Sequence, residues 1–225
     1  MKLQFKGKKD KFPSHIYLQN CNDAIIGQTS SGKSYLCKTL LELFLKNNKK
    51  NISFIFSKSI KYDNSFQDIK KKFNKQCFLY EKLEEDNILL IDQIISIISQ
   101  RKNFNKRDPL ICQYYIILDD FAWNREYAQK ISDILIRTRH LGIKLINIVQ
   151  YWYNLLPSMR QNIRCYWLFK SLNEIQLKEL YNICVMDNIN NFDEFQDLYK
   201  KYTKIPYTFI ICNSFQHKFQ YSLKN

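Results

Sequence analysis

The chain has 225 residues and a mass of 27.3 kDa, enough for one α/β core and too little for a second full one. Its 45% hydrophobic and 25% charged residues exclude a disordered or collagen-like polymer, and no apolar run reaches the roughly 18 residues that cross a bilayer. The net charge of +14 favours a polyanionic partner, although most of the basic residues are lysines of the kind an AT-rich genome scatters over solvated faces.

Met1 to Phe12 is lysine-rich and lacks an apolar signal core, so a soluble, intracellular protein without membrane contact is expected. Seven cysteines, an odd number with no Cys-x-x-Cys, and only three histidines suggest reduced core thiols rather than disulfides or zinc. The domain expectation is one unit over 1–225, with a basic N-terminal segment at 1–19 and a C-terminal extension at 171–225.

In chain order, Asp23 to Ile26 reads as a short buried strand. It feeds Gly27-Gln28-Thr29-Ser30-Ser31-Gly32-Lys33-Ser34, a complete G-x-x-x-x-G-K-[ST], which opens Lys33 to Leu45, where Leu36, Leu40, Leu41 and Phe44 recur at helical spacing. Two of the chain's four glycines are spent there. Glycines let the backbone form a nest of N–H groups aimed at phosphates, and the following helix adds its dipole. Lys33 supplies positive charge to the γ-phosphate of ATP, and the Ser34 hydroxyl a ligand to Mg²⁺.

Ile52 to Phe56 and Cys77 to Tyr80 read as strands, with helices at Ser65 to Phe73 and Ile88 to Ser99. The polar stretch Gln100 to Asp108 reads as a loop, and Lys102, Lys106 and Arg107 in it are candidate DNA-channel residues. Tyr114 to Leu118 is an apolar strand ending in Asp119-Asp120. Asp119 is placed to hold the Mg²⁺ shell and Asp120 to orient and polarise an attacking water, a hydrolase pattern. Arg125 to Arg139 reads as a helix ending near Gly142, and Lys144 to Val149 as a strand ending in Gln150, whose amide can bond both the γ-phosphate and the lytic water. Pro157 opens a short helix, Cys165 to Phe169 is strand-like, and Glu174 to Val185 and Phe192 to Tyr202 are helical. An apolar run from Pro206 to Cys212, then alternating Phe215, His217, Phe219 and Tyr221, predicts a C-terminal strand hairpin. The alternation implies an α/β fold with a mostly parallel central sheet and helices on both faces.

Gly27 to Ser34, Ile117-Leu118-Asp119-Asp120, Arg139-His140-Leu141-Gly142-Ile143 with Asn147-Ile148-Val149-Gln150, and Leu156 to Asn162 together resemble the DNA-packaging ATPases of large DNA viruses, virophages and polinton-like elements, a branch of the FtsK/HerA superfamily. The resemblance covers about Ile16 to Phe169. It departs in the P-loop interior, which lacks an additional glycine, and the tail after Ser171 carries no family signature.

The resemblance implies a P-loop NTPase of the RecA/FtsK-like type, with an extra strand between the P-loop strand and the strand of Asp119. It implies an ATP- and Mg²⁺-dependent motor, assembled as a hexameric or pentameric homo-oligomeric ring, that packs double-stranded DNA into a capsid. A capsid vertex or portal is the further partner, and the infected cell's cytoplasm or the virion the location. Arg139 matches the family's Arg-His position and is the first choice for an arginine acting on a neighbour's γ-phosphate, ahead of Arg137, Arg160 and Arg164. Tyr151-Trp152-Tyr153 fits either an inter-subunit contact or core. Two other classes stay open: another P-loop enzyme, such as a cellular DNA translocase or a nucleoside kinase, and a nucleotide-dependent scaffold with weak turnover.

Overall fold

Five-residue Asn22–Ile26 and seven-residue Ile143–Val149 are buried at every position, and strands that present no polar face to water belong in the interior of a sheet covered on both sides. The computed structural model describes residues 4–5, 21–81, 85–104, 113–120, 133–138, 140–184, 189–214 and 218–223. Its strands are β1 (Gln4–Phe5), β2 (Asn22–Ile26), β3 (Ile52–Ser57), β4 (Cys77–Tyr80), β5 (Tyr114–Asp119), β6 (Ile143–Val149), β7 (Ile163–Leu168), β8 (Ile210–Asn213) and β9 (Lys218–Leu223). The helices that matter here are α1 (Lys33–Asn47), α2 (Asn64–Lys72), α3 (Glu85–Phe104), α4 (Pro157–Asn162), α5 (Glu174–Ile183) and α6 (Phe192–Thr203), and residues 133–138 are also helical.

The sheet order is β1-β9-β8-β7-β2-β6-β5-β3-β4. The six strands from β7 to β4 run parallel, while β8, β9 and β1 add antiparallel pairs at one side. The strand β6 lies between β2 and β5, as the resemblance implies. Side chains alternate between two cores: Ile25, Tyr115, Ile117 and Ile146 pack against α1 and α2, and Ala24, Ile116, Leu118 and Leu145 against α3, residues 133–138, α5 and α6.

Among the described residues the predicted elements are present, with three differences; of the helix expected at Arg125 to Arg139 residues 133–138 are helical, and the remainder lies outside the described residues. The helix expected at Ile88 to Ser99 extends over Glu85–Phe104, because Gln100, Arg101 and Lys102 are good helix formers and no glycine or proline intervenes before Pro109. Lys102 therefore sits in the last turn of α3, while Lys106 and Arg107 lie outside the described residues. The last apolar run becomes strand only at Ile210, since residues 204–209 form a turn held by Thr208 Oγ1, which donates to the carbonyls of Tyr202 and Ile205 at 2.6 Å each. Gln4–Phe5 adds an edge strand that the basic composition around it concealed.

Register fixes the functional edge. Ile26 stands beside Val149 and Leu168, and Ser57 beside Asp119, so the parallel strands end together and Gly27, Ser57, Asp120, Gln150 and Phe169 share the carboxyl edge. From β2 the chain runs to β3 on one side, whereas from its neighbour β7 it runs to β8 on the other, so connections leave in opposite directions beside the P-loop strand, the place where open α/β sheets bind ligands.

Candidate active site

At the P-loop, Ser30 (φ 61°) and Gly32 (φ 102°) take left-handed backbone, and α1 begins with no side-chain cap and no acidic residue in its first turn. The helix start therefore keeps its partial positive charge uncompensated. Ser31 Oγ is buried and has no hydrogen-bond partner. A Cβ on Gly27 would stand 2.6 Å from that oxygen and 2.7 Å from Phe169 Cβ, so the site requires glycine. An uncapped helix start, an orphaned hydroxyl and a lysine on one loop fit a polyphosphate. Lys33 folds back so that Nζ donates to the carbonyls of Gly27 (2.7 Å) and Gln28 (2.8 Å). Burial lowers its pKa, with Asp119 and Asp120 opposing the shift.

Asp119, the last residue of β5, is buried, and its Oδ2 accepts a 2.8 Å hydrogen bond from Ser57 Oγ on β3. Burial pushes the carboxyl up to about 6; the Ser57 bond opposes this, and the charges of Asp63 and Asp120 reinforce it. A cation beside it would reverse that burden, and Ser34 and Asp119 are the residues suited to hold Mg²⁺. Asp120 follows in the left-handed conformation (φ 56°), its N–H bonded to the Ile148 carbonyl at 3.0 Å, which turns its carboxylate out of the sheet. Gln150 Nε2 donates to both oxygens of that carboxylate (3.2 and 3.1 Å), and Gln150 Oε1 accepts from Thr29 Oγ1 at 3.2 Å. Thr29, Gln150 and Asp120 thus form one chain from the P-loop across β6 to the end of β5.

The loop after Gln150 is braced from below. Arg160 is 8% exposed, donates to Glu179 Oε2 (2.8 Å) and the Leu155 carbonyl (2.8 Å), and lies 4.5 Å from the Trp152 ring. It is engaged within its own chain, which removes it from the arginines free to reach a neighbour. Trp152 is buried, whereas Tyr151 and Tyr153 are exposed, so the aromatic run divides between core and surface. Arg137 pairs with Asp92 on α3. Arg164 lies at the start of β7 and so stands at the sheet edge opposite the P-loop. Arg139 lies outside the described residues.

Beneath the P-loop strand, Lys144 Nζ contacts Asp23 Oδ2 at 2.9 Å with both side chains almost wholly buried, and Trp167 Nε1 donates to the same carboxylate at 3.0 Å. Six of the seven cysteines are buried free thiols, and Cys112 lies outside the described residues. No helix among the described residues is long and apolar enough to cross a membrane.

Sequence reasoning brought Gly27 to Ser34, Asp119, Asp120 and Gln150 to one edge, and the structure places them there. It missed Ser57 and Thr29 as partners; the available signal for Ser57 was a hydroxyl closing a strand whose preceding three residues are apolar.

No protein-family model matches the sequence, and no curated protein does. The fold, however, is shared with solved ATPases. The DNA-packaging ATPase B204 of Sulfolobus turreted icosahedral virus is similar over 92% of this chain and 98% of its own, with a TM-score of 0.63 at 20% identity. The genome packaging NTPase B204 of Sulfolobus turreted icosahedral virus 2, in complex with AMPPCP, covers 91% and 98% with a TM-score of 0.60 at 19% identity. ATPases 2 and 3 of EssC from Geobacillus thermodenitrificans match 90% of this chain and 39% of that one, at a TM-score of 0.60 and 16% identity.

Proposed function

We propose that this protein is a Mg²⁺-dependent ATPase that acts in viral genome packaging as a ring-shaped motor on double-stranded DNA. The observation that carries the hydrolytic reading is the Thr29–Gln150–Asp120 chain, because it ties the phosphate loop to a carboxylate positioned for water rather than for a second substrate. The packaging reading rests on the near end-to-end likeness to the viral NTPases, together with the net charge of +14.

In this reading the P-loop N–H groups and Lys33 bind the β- and γ-phosphates, and Ser34 and Asp119 would hold Mg²⁺, which would neutralise charge on the phosphate oxygens when bound. Asp120 orients a water for in-line attack on the γ-phosphorus and draws on its proton as the bond to the leaving ADP oxygen breaks. Gln150 exchanges its bond with Thr29 for one to the γ-phosphate, so occupancy of the loop changes how Asp120 is held.

The stabilising cation comes from a neighbour. Thr138 and Asn22 share a 3.2 Å hydrogen bond, and Asn22 Nδ2 reaches the Leu135 carbonyl at 2.9 Å, so residues 133–138 are pinned to the amino edge of the sheet. From that edge the length of β6, roughly 20 Å, separates them from their own Gln150. This favours Arg139 acting across a subunit interface, and with it a hexameric or pentameric ring. DNA contact is to phosphates, since a packaging motor accepts any sequence.

The test separates binding from turnover. Lys33→Ala loses ATP binding, whereas Asp120→Asn binds ATP and releases no phosphate. Parental turnover in Asp120→Asn would overturn the role given to that carboxylate.

A further inference from the structure

The catalytic groups all lie on one side of the P-loop strand. Asp119, Asp120 and Gln150 end β5 and β6, and the order β8-β7-β2-β6-β5 leaves the ends of β7 and β8 on the other side. A triphosphate whose γ end meets Thr29, Gln150 and Asp120 therefore has its α-phosphate and nucleoside directed away from β6. Because β8 is antiparallel to β7 with Ile210 beside Leu168, the turn that precedes β8 returns to the carboxyl edge next to the P-loop. There the Tyr207 ring stands 3.3 Å from where a Cβ on Gly32 would be, and Phe209 packs on Phe169, whose own Cβ closes on Gly27. Tyr207 is half-exposed and holds φ 67°, a conformation that is uncommon for a bulky side chain and is retained where surrounding structure fixes it.

We infer that Tyr207 is a wall of the nucleoside subsite, stacking on the purine base of the bound nucleotide. This gives the C-terminal segment a role in distinguishing a nucleotide from a bare polyphosphate, and it rests on the nucleotide-binding reading of the P-loop. The aromatic ring matters and the hydroxyl does not, since stacking needs only the flat apolar face.

Calorimetric titration with ATP, ADP and inorganic tripolyphosphate, each with Mg²⁺, tests the assignment on three chains: the parent, Tyr207→Leu and Tyr207→Phe. Leucine keeps an apolar contact with Gly32 but loses the ring; phenylalanine keeps the ring. Tyr207→Leu is expected to bind ATP and ADP on the order of ten-fold more weakly, the scale of one base–aromatic stack. Its tripolyphosphate affinity stays at the parental value, and Tyr207→Phe matches the parent for all three probes. Equal losses for nucleotides and tripolyphosphate would overturn the inference and leave Tyr207 as a support for the P-loop, and unchanged binding of every probe would overturn it as well. A parent that binds none of the probes would overturn the P-loop reading itself, whereas a parent that binds tripolyphosphate as tightly as ATP would sink only the nucleoside subsite.

Discussion

Replacing Asp119 with asparagine removes a buried charge while keeping the side chain's shape and its capacity to accept the Ser57 hydrogen bond. In the metal-free protein burial raises this carboxyl from 3.8 to about 6. The folded chain therefore holds the Asp119 proton more tightly than the unfolded chain does, and ionisation penalises the folded state. The contribution to stability is fully present below about pH 4 and is lost as pH rises through 6. A difference of roughly two pH units corresponds to about 3 kcal/mol at pH 8. Asp119→Asn should accordingly be more stable than the parent by up to about 3 kcal/mol at pH 8, and by about half as much near pH 5. Urea unfolding in the presence of a chelator measures both values. The same variant should release no phosphate from Mg²⁺–ATP, because the amide cannot replace the carboxylate in the metal's shell. Equal stability at pH 8, or a gain that is the same at both pH values, would refute the electrostatic reasoning.

Lys144→Met strands the buried Asp23 carboxylate, and a loss of about 3–5 kcal/mol in chemical denaturation is expected, partly restored by adding Asp23→Leu. Mixing the two inactive variants Lys33→Ala and Arg139→Ala should recover part of the hydrolysis, since some interfaces then pair an intact P-loop with an intact arginine; no recovery in rings containing both chains would place the cation within one chain. Arg160→Ala should instead lower the unfolding midpoint through the lost Glu179 and Trp152 contacts and show no such complementation.

The edge that carries the candidate site was legible because each of its parts is local: a glycine pattern after an apolar run, two carboxylates closing a second, an amide closing a third. Parallel register then brings the strand ends together, so the sequence needed only to mark where each strand stops. What escaped were contacts between residues far apart in the chain. Ser57 meets Asp119 across 62 positions, and Tyr207 meets Gly32 through a turn whose apolar composition reads as strand. Polarity also misled at Gln100 to Phe104, where residues that avoid the core are still good helix formers.

Steady-state phosphate release from Mg²⁺–ATP, with and without duplex DNA and over a range of protein concentration, tests the motor reading most directly. The expected result is Mg²⁺-dependent turnover that duplexes of unrelated sequence stimulate and that rises per subunit as rings assemble. Turnover indifferent to duplex DNA at every protein concentration, or no turnover at all, would contradict it.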